Sequence, residues 1–260
     1  MRIVFFGDVV GKPGRRGLAC CLQALRGAGE VDFVVANCEN SAGGVGVDPG
    51  SARELLAAGV DVLTSGNHVW AKREIVEYMN DSDVLLRPAN FAPTTPGWGY
   101  TVKLNRRGTP VAVVNLIGRV FMNSYDCPFR AVDTVLESIA QKAAVIFVDM
   151  HAEATSEKVA MGWHLDGRVS AVVGSHTHVQ TADERILPGG TAYLTDAGMC
   201  GPRDSVLGVK REQVLRRFLT QMPGRFAVAD GPVLVAGAVI DVDERTGRAN
   251  AIERFQQVIE

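Results

Sequence analysis

The clearest pattern in the chain is a series of short apolar runs, each followed at once by a cluster of small and polar residues. Five of these runs are predicted to be buried strands, at residues 2–6, 31–36, 60–63, 145–148 and 169–173. A continuous apolar run of about four to eight residues is typical of a strand that is covered on both faces. The polar clusters therefore lie at strand ends, where an open α/β sheet binds its ligands.

Helical periodicity fills most of the spaces between these runs. It predicts helices around residues 14–28, 52–58, 71–79, 131–142 and 211–221, and further strands at residues 84–86 and 191–195. Repeated strand–helix units of this kind indicate parallel strands that are joined by right-handed crossovers.

Two predicted hairpins interrupt the alternation, with strands at 100–104 and 110–115 and at 233–241 and 249–258. No internal repeat, long linker or low-complexity block divides the chain. We therefore expect residues 1–260 to form a single domain of the α/β class. The pattern favours two β-sheets packed face to face with helices outside, although composition alone does not separate this arrangement from one large mixed sheet.

Composition and charge narrow the class of protein further. The 260 residues are 47% hydrophobic and carry a formal net charge of −2. This charge does not suggest a basic surface that binds nucleic acid or a polybasic patch that binds a membrane. No apolar stretch approaches the ~20 residues of a membrane span, and the N-terminus runs directly into a strand without a secretory signal. The five cysteines lack C-x-x-C spacing, which predicts free thiols. We expect a cytoplasmic protein with no membrane partner.

Four of the five histidines lie in the polar clusters at strand ends. In chain order the clusters are Gly7-Asp8, Asn37-Cys38-Glu39-Asn40, Gly66-Asn67-His68, Asp149-Met150-His151 and Gly174-Ser175-His176-Thr177-His178. Carboxylate, carboxamide and imidazole groups at neighbouring strand ends predict a hydrolytic site with more than one metal ion. Taken singly, Asn67-His68 would suit a turn and Asp8 a helix cap. The conjunction of five such ends favours the metal site.

These motifs resemble those of the calcineurin-like metallophosphoesterases over roughly residues 1–200. The resemblance is tightest to the bacterial YmdB-type branch, through Gly7-Asp8-Val9-Val10-Gly11, Cys38-Glu39-Asn40, Gly66-Asn67-His68-Val69-Trp70 and Thr195-Asp196-Ala197-Gly198-Met199. The chain departs from the wider superfamily in two motifs, and both departures resemble this branch. The usual Asp-x-His motif lacks its histidine, because Val10 stands two residues after Asp8. Cys38-Glu39 stands where Gly-Asp is usual. The resemblance implies a metallophosphoesterase-type four-layer α/β/β/α sandwich of two mixed β-sheets. It also implies a phosphodiesterase that acts on cyclic nucleotides, notably 2′,3′-cyclic ones.

The same resemblance implies a pair of divalent or trivalent metal ions. Glu39 would bridge them, because two ions ~3.5–4 Å apart need an anionic ligand that spans both. The other implied ligands form two sets, namely Asp8, Asn40 and His178 for one ion and Asn67, His151 and His176 for the other. Mixed nitrogen and oxygen ligands suit Fe, Mn, Zn or Co better than Mg or Ca. Of these we expect Fe or Mn, with Zn or Co as alternatives.

His68 is then left beside the ligand Asn67 without a metal to bind. The implied nucleophile is a hydroxide that bridges the two metals and attacks phosphorus in line. His68 would be the general acid that protonates the leaving alkoxide, or a donor that stabilises charge on the phosphoryl group. Asn40 and His68 would both contact the substrate, and Asp149 is a candidate acceptor for an imidazole N–H.

Several functions stay open at this stage. The leading hypothesis is hydrolysis of cyclic nucleotides, 2′,3′-cyclic or 3′,5′-cyclic, or of short RNA ends. A phosphomonoesterase or protein phosphatase with the same metals is an alternative, as is a regulatory metal-binding protein. Arg119, Phe121 and Tyr125 could line a base pocket by stacking, but loop packing explains them equally. His164 suits packing or exposure better than metal binding. The 88–98 loop and the tail hairpin could offer apolar surface for a homo-oligomer.

Overall fold

The strands of the chain form two mixed β-sheets in a computed structural model, which describes residues 1–29 and 31–260. The described elements, in chain order, are β1 (Arg2–Phe6), β2 (Asp8–Val9), α1 (Gly11–Gly27), β3 (Phe33–Asn37), α2 (Pro49–Ala58), β4 (Val62–Thr64), α3 (Ile75–Asp81), β5 (Tyr100–Leu104), β6 (Pro110–Ile117), α4 (Pro128–Ile139), β7 (Val145–His151), α5 (Thr155–Leu165), β8 (Ala171–Ser175), β9 (Arg185–Ile186), β10 (Ala192–Leu194), β11 (Met199–Pro202), α6 (Arg211–Thr220), β12 (Val233–Val242) and β13 (Ala249–Ile259). All five apolar runs that predicted buried strands form strands.

The first sheet has the strand order β2–β11–β12–β1–β3–β4, and β13 pairs with β12. β1, β3 and β4 run parallel to one another, whereas β12 is antiparallel to β1. Because parallel strands end at the same edge of a sheet, the residues that follow β1, β3 and β4 lie side by side. This arrangement places Asp8, Glu39 and Asn67 at one edge.

The second sheet has the order β5–β6–β7–β8–β10–β9. β6, β7, β8 and β10 are parallel, and β5 and β9 are antiparallel edge strands. β7 ends at His151 and β8 at Ser175, immediately before His176. The second sheet therefore contributes the imidazoles of the predicted site.

The two sheets pack face to face around a buried core. Phe5 of β1 and Phe147 of β7 meet there with ring centroids 5.1 Å apart, and both side chains are fully buried. A second core lies between the first sheet and α1 and α2, and a third lies between the second sheet and α4 and α5. The predicted four-layer α/β/β/α sandwich is therefore confirmed. Truncating a core phenylalanine such as Phe147 to alanine typically costs about 3–5 kcal/mol.

The structure departs from the sequence prediction around residues 69–86. The predicted helix at 71–79 is instead a short 3₁₀ turn at Val69–Ala71 followed by α3, because Lys72 is extended, with φ −115° and ψ 117°. The predicted strand at 84–86 is reduced to isolated bridges at Leu85 and Leu86. None of the helices in the described part of the chain has the length and apolarity that crossing a membrane requires.

Candidate metal centre

The polar clusters of the two sheets meet at one edge of the sandwich. Nε2 of His151 in the second sheet lies 3.2 Å from Oε1 of Glu39 in the first. The backbone N–H of His176 donates to Oδ2 of Asp8 over 2.9 Å. Residues that are 168 positions apart in the sequence are thus neighbours. The seven predicted metal ligands and His68 all belong to this group.

One group of potential ligand atoms surrounds Nε2 of His151. Nδ1 of His176 lies 3.1 Å from this nitrogen, and Oδ1 of Asn67 lies 3.2 Å from it, as Oε1 of Glu39 does. Ligand atoms of Glu39, His151 and His176 all lie within 4.8 Å of one another. With metal–ligand bonds of about 2.1 Å, adjacent ligands of a tetrahedral or octahedral ion are about 3.0–3.4 Å apart. The spacing of these atoms fits a metal ion.

A second group forms around Asp8 and His178. Nε2 of His178 lies 3.9 Å from Oδ1 of Asp8 and 3.1 Å from Nδ2 of Asn40. Among the described residues, Oδ1 of Asp8 is buried without a hydrogen-bond partner. A buried carboxylate oxygen without a partner is destabilising unless a cation or donor satisfies it. Nδ2 of Asn40 also donates to Oε1 of Glu39 over 3.3 Å, so Glu39 lies next to both groups.

Two of the clustered histidines have their outer ring nitrogen fixed by an acceptor. Nε2 of His176 lies 3.0 Å from Oε2 of Glu153, and Nδ1 of His178 lies 3.1 Å from the carbonyl oxygen of Leu207. We assign the N–H to these nitrogens, since a carboxylate and a carbonyl can only accept. The other nitrogen of each ring then presents its lone pair to the cluster, which is the tautomer that a metal ligand needs.

His151 is fixed in the same way through a serine. Nδ1 of His151 lies 2.9 Å from Oγ of Ser175, which donates its own proton to Oδ1 of Asp149 over 2.6 Å. The serine oxygen therefore accepts a hydrogen bond from Nδ1–H of His151, so that Nε2 points into the cluster. Asp149 is fully buried and also accepts from Nδ2 of Asn37 at 3.0 Å and from the hydroxyl of Thr64. Asp149 thus orients an imidazole, but through Ser175 rather than directly.

The loop that carries His176 and His178 has an unusual backbone. Their φ angles are 102° and 65°, a left-handed region that is uncommon and unfavourable for residues other than glycine. Asp196 holds this loop, because its Oδ2 accepts from the N–H of Thr177 at 3.1 Å. The same oxygen accepts from Nζ of Lys158 at 2.7 Å, and both charged side chains are 1% exposed. Asp196 therefore supports the site in addition to its place in a turn.

The electrostatics of the group reflect its burial. Burial raises the pKa of the Asp8 carboxyl to about 6. Burial also disfavours the charge on Glu39, but the neighbouring His151 outweighs it and holds the pKa of Glu39 well below its usual range. Burial likewise disfavours a charge on His151, but the nearby negative charge of Glu39 outweighs burial and raises the pKa of His151 to about 9. Burial and then the charge of His151 lower the pKa of His176 to about 3. Metal binding to His151 would therefore release a proton.

Gly66 makes the close approach of His151 and Glu39 possible. A Cβ atom at this position would lie 2.2 Å from Nε2 of His151 and 2.4 Å from Oε2 of Glu39. Real Cβ atoms essentially never make contacts under 3.0 Å. A glycine is therefore required in the Gly66-Asn67-His68 cluster.

His68 lies at the rim of the group, with its side chain 42% exposed. Its Nδ1 lies 3.1 Å from Oδ1 of Asn40 and 3.4 Å from Oε1 of Glu39. We assign the Nδ1 proton to the bond with Asn40, which leaves Nε2 for a substrate. The hydrogen bond with Glu39 raises the pKa of His68. An imidazole that is held at one nitrogen and accessible at the other can transfer a proton to a bound ligand.

The structure also bears on the sequence expectations for Asp8, His164 and the cysteines. Asp8 does not cap α1, since the N-cap residue is Val10 and no side chain caps the helix. His164 lies in α5 with Nε2 3.0 Å from Oδ1 of Asp133, which agrees with a packing role. All five cysteines are free thiols, as expected.

The sequence prediction missed the groups that orient the histidines. Ser175 stood inside a polar cluster, and its place directly before His176 was the available signal. Glu153, Lys158 and the carbonyl of Leu207 carry no such signal, because each reaches the site only through the tertiary fold.

A four-layer sandwich with a His/Glu/Asp cluster at its strand ends defines a metallophosphoesterase-type protein. The family model of the YmdB-like proteins matches residues 4–255, and the chain belongs to this family. The chain is 50% identical over 256 residues to the 2′,3′-cyclic-nucleotide 2′-phosphodiesterase of Bacillus subtilis (strain 168), and the match covers 98% of this chain and 96% of that protein. Membership of this family implies that the protein binds divalent metal ions.

Two solved structures share the whole fold. A protein from Thermus thermophilus superposes with a TM-score of 0.93 and 42% identity over 99% of both chains. A phosphatase from Mycoplasma pneumoniae superposes with a TM-score of 0.92 and 32% identity, and the match covers 99% of this chain and 93% of that one. Similarity along nearly the full length supports the architecture described above.

Proposed function

We propose that this protein hydrolyses 2′,3′-cyclic nucleotides at the 2′ ester with the help of two divalent metal ions. The observation that carries the proposal is the set of three imidazoles whose outer nitrogens are fixed by Ser175, Glu153 and the carbonyl of Leu207. The inner nitrogens of His151 and His178 face the carboxylates of Glu39 and Asp8, and the inner nitrogen of His176 faces His151, which is the arrangement of a metal site. The 50% identity to a 2′,3′-cyclic-nucleotide 2′-phosphodiesterase supports the choice of substrate and of ester.

The proposed ligands form two sets that share Glu39. One set is Asp8, Asn40 and His178, and the other is Asn67, His151 and His176. The mixture of nitrogen and oxygen donors suits Fe, Mn, Zn or Co better than Mg or Ca, and we propose Fe or Mn, with Zn or Co as alternatives. The orphaned Oδ1 of Asp8 and the spacing around Nε2 of His151 both fit such ions.

The protein residues around the ions have separate tasks. Two bound cations supply charge neutralisation on the phosphate and an activated water as nucleophile. Asn40 orients His68 by accepting a hydrogen bond from Nδ1–H, and the imidazolium form, which Glu39 favours by raising the pKa of His68, would give its Nε2 proton to the O2′ leaving group. Asn40 and His68 are the proposed substrate contacts. A ring anchored to its neighbour loses little entropy when it reaches the transition state.

Several finer expectations stay predictions. These are the organisation of residues 1–260 as one domain, short RNA ends as substrates, homo-oligomerisation and a cytoplasmic location. Activity on phosphomonoesters or phosphoproteins and a purely regulatory role stay alternatives.

The test compares a diester with a monoester. Protein stripped of metal and restored with Mn²⁺ is assayed on 2′,3′-cyclic AMP and on p-nitrophenyl phosphate, with the His68→Ala variant in parallel. We expect the wild type to prefer the cyclic diester, and the variant to lose roughly 10²–10⁴-fold in kcat, the range of general acid catalysis. Faster turnover of the monoester, or an unaffected His68→Ala variant, would overturn the assigned reaction or the assigned acid respectively.

A further inference from the structure

A cavity of about 440 Å³ opens directly beside the metal centre. Asn67 lines one end of this cavity, and its Oδ1 lies 3.2 Å from Nε2 of His151. The cavity therefore begins where the ligand cluster ends. Its volume falls in the range of about 300–1,000 Å³ that is typical of small-molecule sites.

The wall of this cavity is aromatic. Phe91 and Tyr125 stack with ring centroids 5.0 Å apart and planes at 25°, and Trp70 lies beside Phe91 at 6.4 Å. All three rings line the cavity. Trp70 and Tyr125 are only partly buried, so both retain surface that a ligand can cover. Phe121, which the sequence also suggested for a base pocket, is 88% exposed and is not among the residues that line the cavity.

The buried side chain of Asn90 helps to fix the two segments that carry Phe91 and Tyr125. Asn90 is 1% exposed, and its Oδ1 accepts from the N–H of Ile117 at 2.9 Å. Its Nδ2 donates to the carbonyls of Ile117 and Asp126, at 2.8 Å and 2.9 Å. Asn90 precedes Phe91 and Asp126 follows Tyr125, so these bonds join the two segments that carry the stacked rings. The wall is preformed rather than assembled by a ligand.

The charge of the cavity selects for a neutral group. Among its described lining residues, Asp126 is the one carboxylic acid, and none is lysine, arginine or histidine. A second phosphate would meet repulsion there, with no cation to pair with. A flat, neutral and aromatic group meets stacking surfaces, which every nucleobase can use regardless of its sequence identity.

We propose that this aromatic cavity, formed by Trp70, Phe91 and Tyr125 next to Asn67, is the subsite for the nucleobase of the substrate. The inference rests on the proposed hydrolysis of cyclic nucleotides and adds the part of the protein that recognises the nucleoside. The cyclic phosphate lies at the metal centre, the ribose passes Asn67, and the base stacks in the cavity. Stacking of this kind discriminates weakly among bases and strongly against a substrate that has none.

The test compares two esters that differ only in the base. Wild-type protein, Tyr125→Leu, Tyr125→Phe and Trp70→Leu are assayed with Mn²⁺ on 2′,3′-cyclic AMP and on methyl β-ribofuranoside 2′,3′-cyclic phosphate. We expect the wild type to prefer the nucleotide through a lower KM. Loss of one stacking ring should reduce that preference by about 5-fold or more, whereas Tyr125→Phe should retain it. The conservative variant separates ring stacking from the tyrosine hydroxyl.

Equal kcat/KM values for the two esters in the wild type would overturn the subsite and leave the proposed reaction intact. An equal fall on both esters in the leucine variants would also overturn it, because a ring that serves only packing does not distinguish the substrates. If neither ester is hydrolysed, the proposed reaction fails. Calorimetric titration with adenosine then decides the subsite alone: binding that Tyr125→Leu abolishes supports it, and an absence of binding overturns it.

Discussion

Replacing Gly66 with alanine perturbs the proposed metal centre at its most crowded point. The new Cβ would lie 2.2 Å from Nε2 of His151 and 2.4 Å from Oε2 of Glu39, whereas ordinary contacts are 3.4–4 Å. Both groups, or residue 66 itself, must therefore move by about 1 Å, a displacement that can reduce catalysis about 100-fold. We expect Gly66→Ala to lower kcat/KM for 2′,3′-cyclic AMP by about that factor and to bind less metal.

The assay measures kcat/KM with saturating Mn²⁺ and the bound Mn²⁺ by mass spectrometry after gel filtration. Gly224→Ala is the matched control, because an added Cβ at Gly224 meets nothing within 4 Å. A urea melt separates the local effect from the general strain of overpacking, which typically costs about 1–3 kcal/mol. If a folded Gly66→Ala protein kept wild-type metal content and turnover, the close packing of His151 against Glu39 would not be what the reaction requires.

Three further predictions follow from the same contacts. Ser175→Ala removes the hydroxyl that fixes His151 and should weaken Mn²⁺ binding about 10–100-fold in calorimetry. The control Ser138→Ala changes an exposed serine and should leave the affinity unchanged. Equal affinities in the two variants would refute the role of Ser175. Lys158→Met leaves the buried carboxylate of Asp196 without its cation and should lower the free energy of unfolding by about 3–5 kcal/mol. The control Lys103→Met removes a surface ion pair and should lower it by about 0–1 kcal/mol. Similar losses in the two variants would contradict this prediction. Mn²⁺ at about 100 times its Kd should stabilise the wild type by about 2.7 kcal/mol for each occupied site, and Glu39→Gln should lose most of the resulting rise in Tm.

The sequence predicted the strands that build the site because a buried strand has a strong local signal. β1, β3 and β7 each contain a continuous apolar run, and a polar residue after such a run is conspicuous. The side chains at those ends could therefore be selected before any tertiary contact was known. Their convergence required the parallel topology, which the repeated strand–helix pattern indicates.

The short elements and the orienting contacts could not be predicted in this way. β2 and β9 have two residues each, too few for a periodic pattern, and exist because longer strands pair with them. Lys158 lies on α5, where a charged side chain normally faces solvent, and only the fold buries it against Asp196. The aromatic wall combines Trp70, Phe91 and Tyr125 from three separate segments, so no local window contains it.

The most direct test of the proposed reaction is phosphorus NMR of 2′,3′-cyclic AMP incubated with metal-stripped protein, with and without restored Mn²⁺, and quenched with excess EDTA before each spectrum. The cyclic diester signal should persist without metal and convert to adenosine 3′-monophosphate once Mn²⁺ is bound. Conversion without metal, a 2′-monophosphate product, or an unchanged diester signal with two equivalents of Mn²⁺ bound would contradict the account.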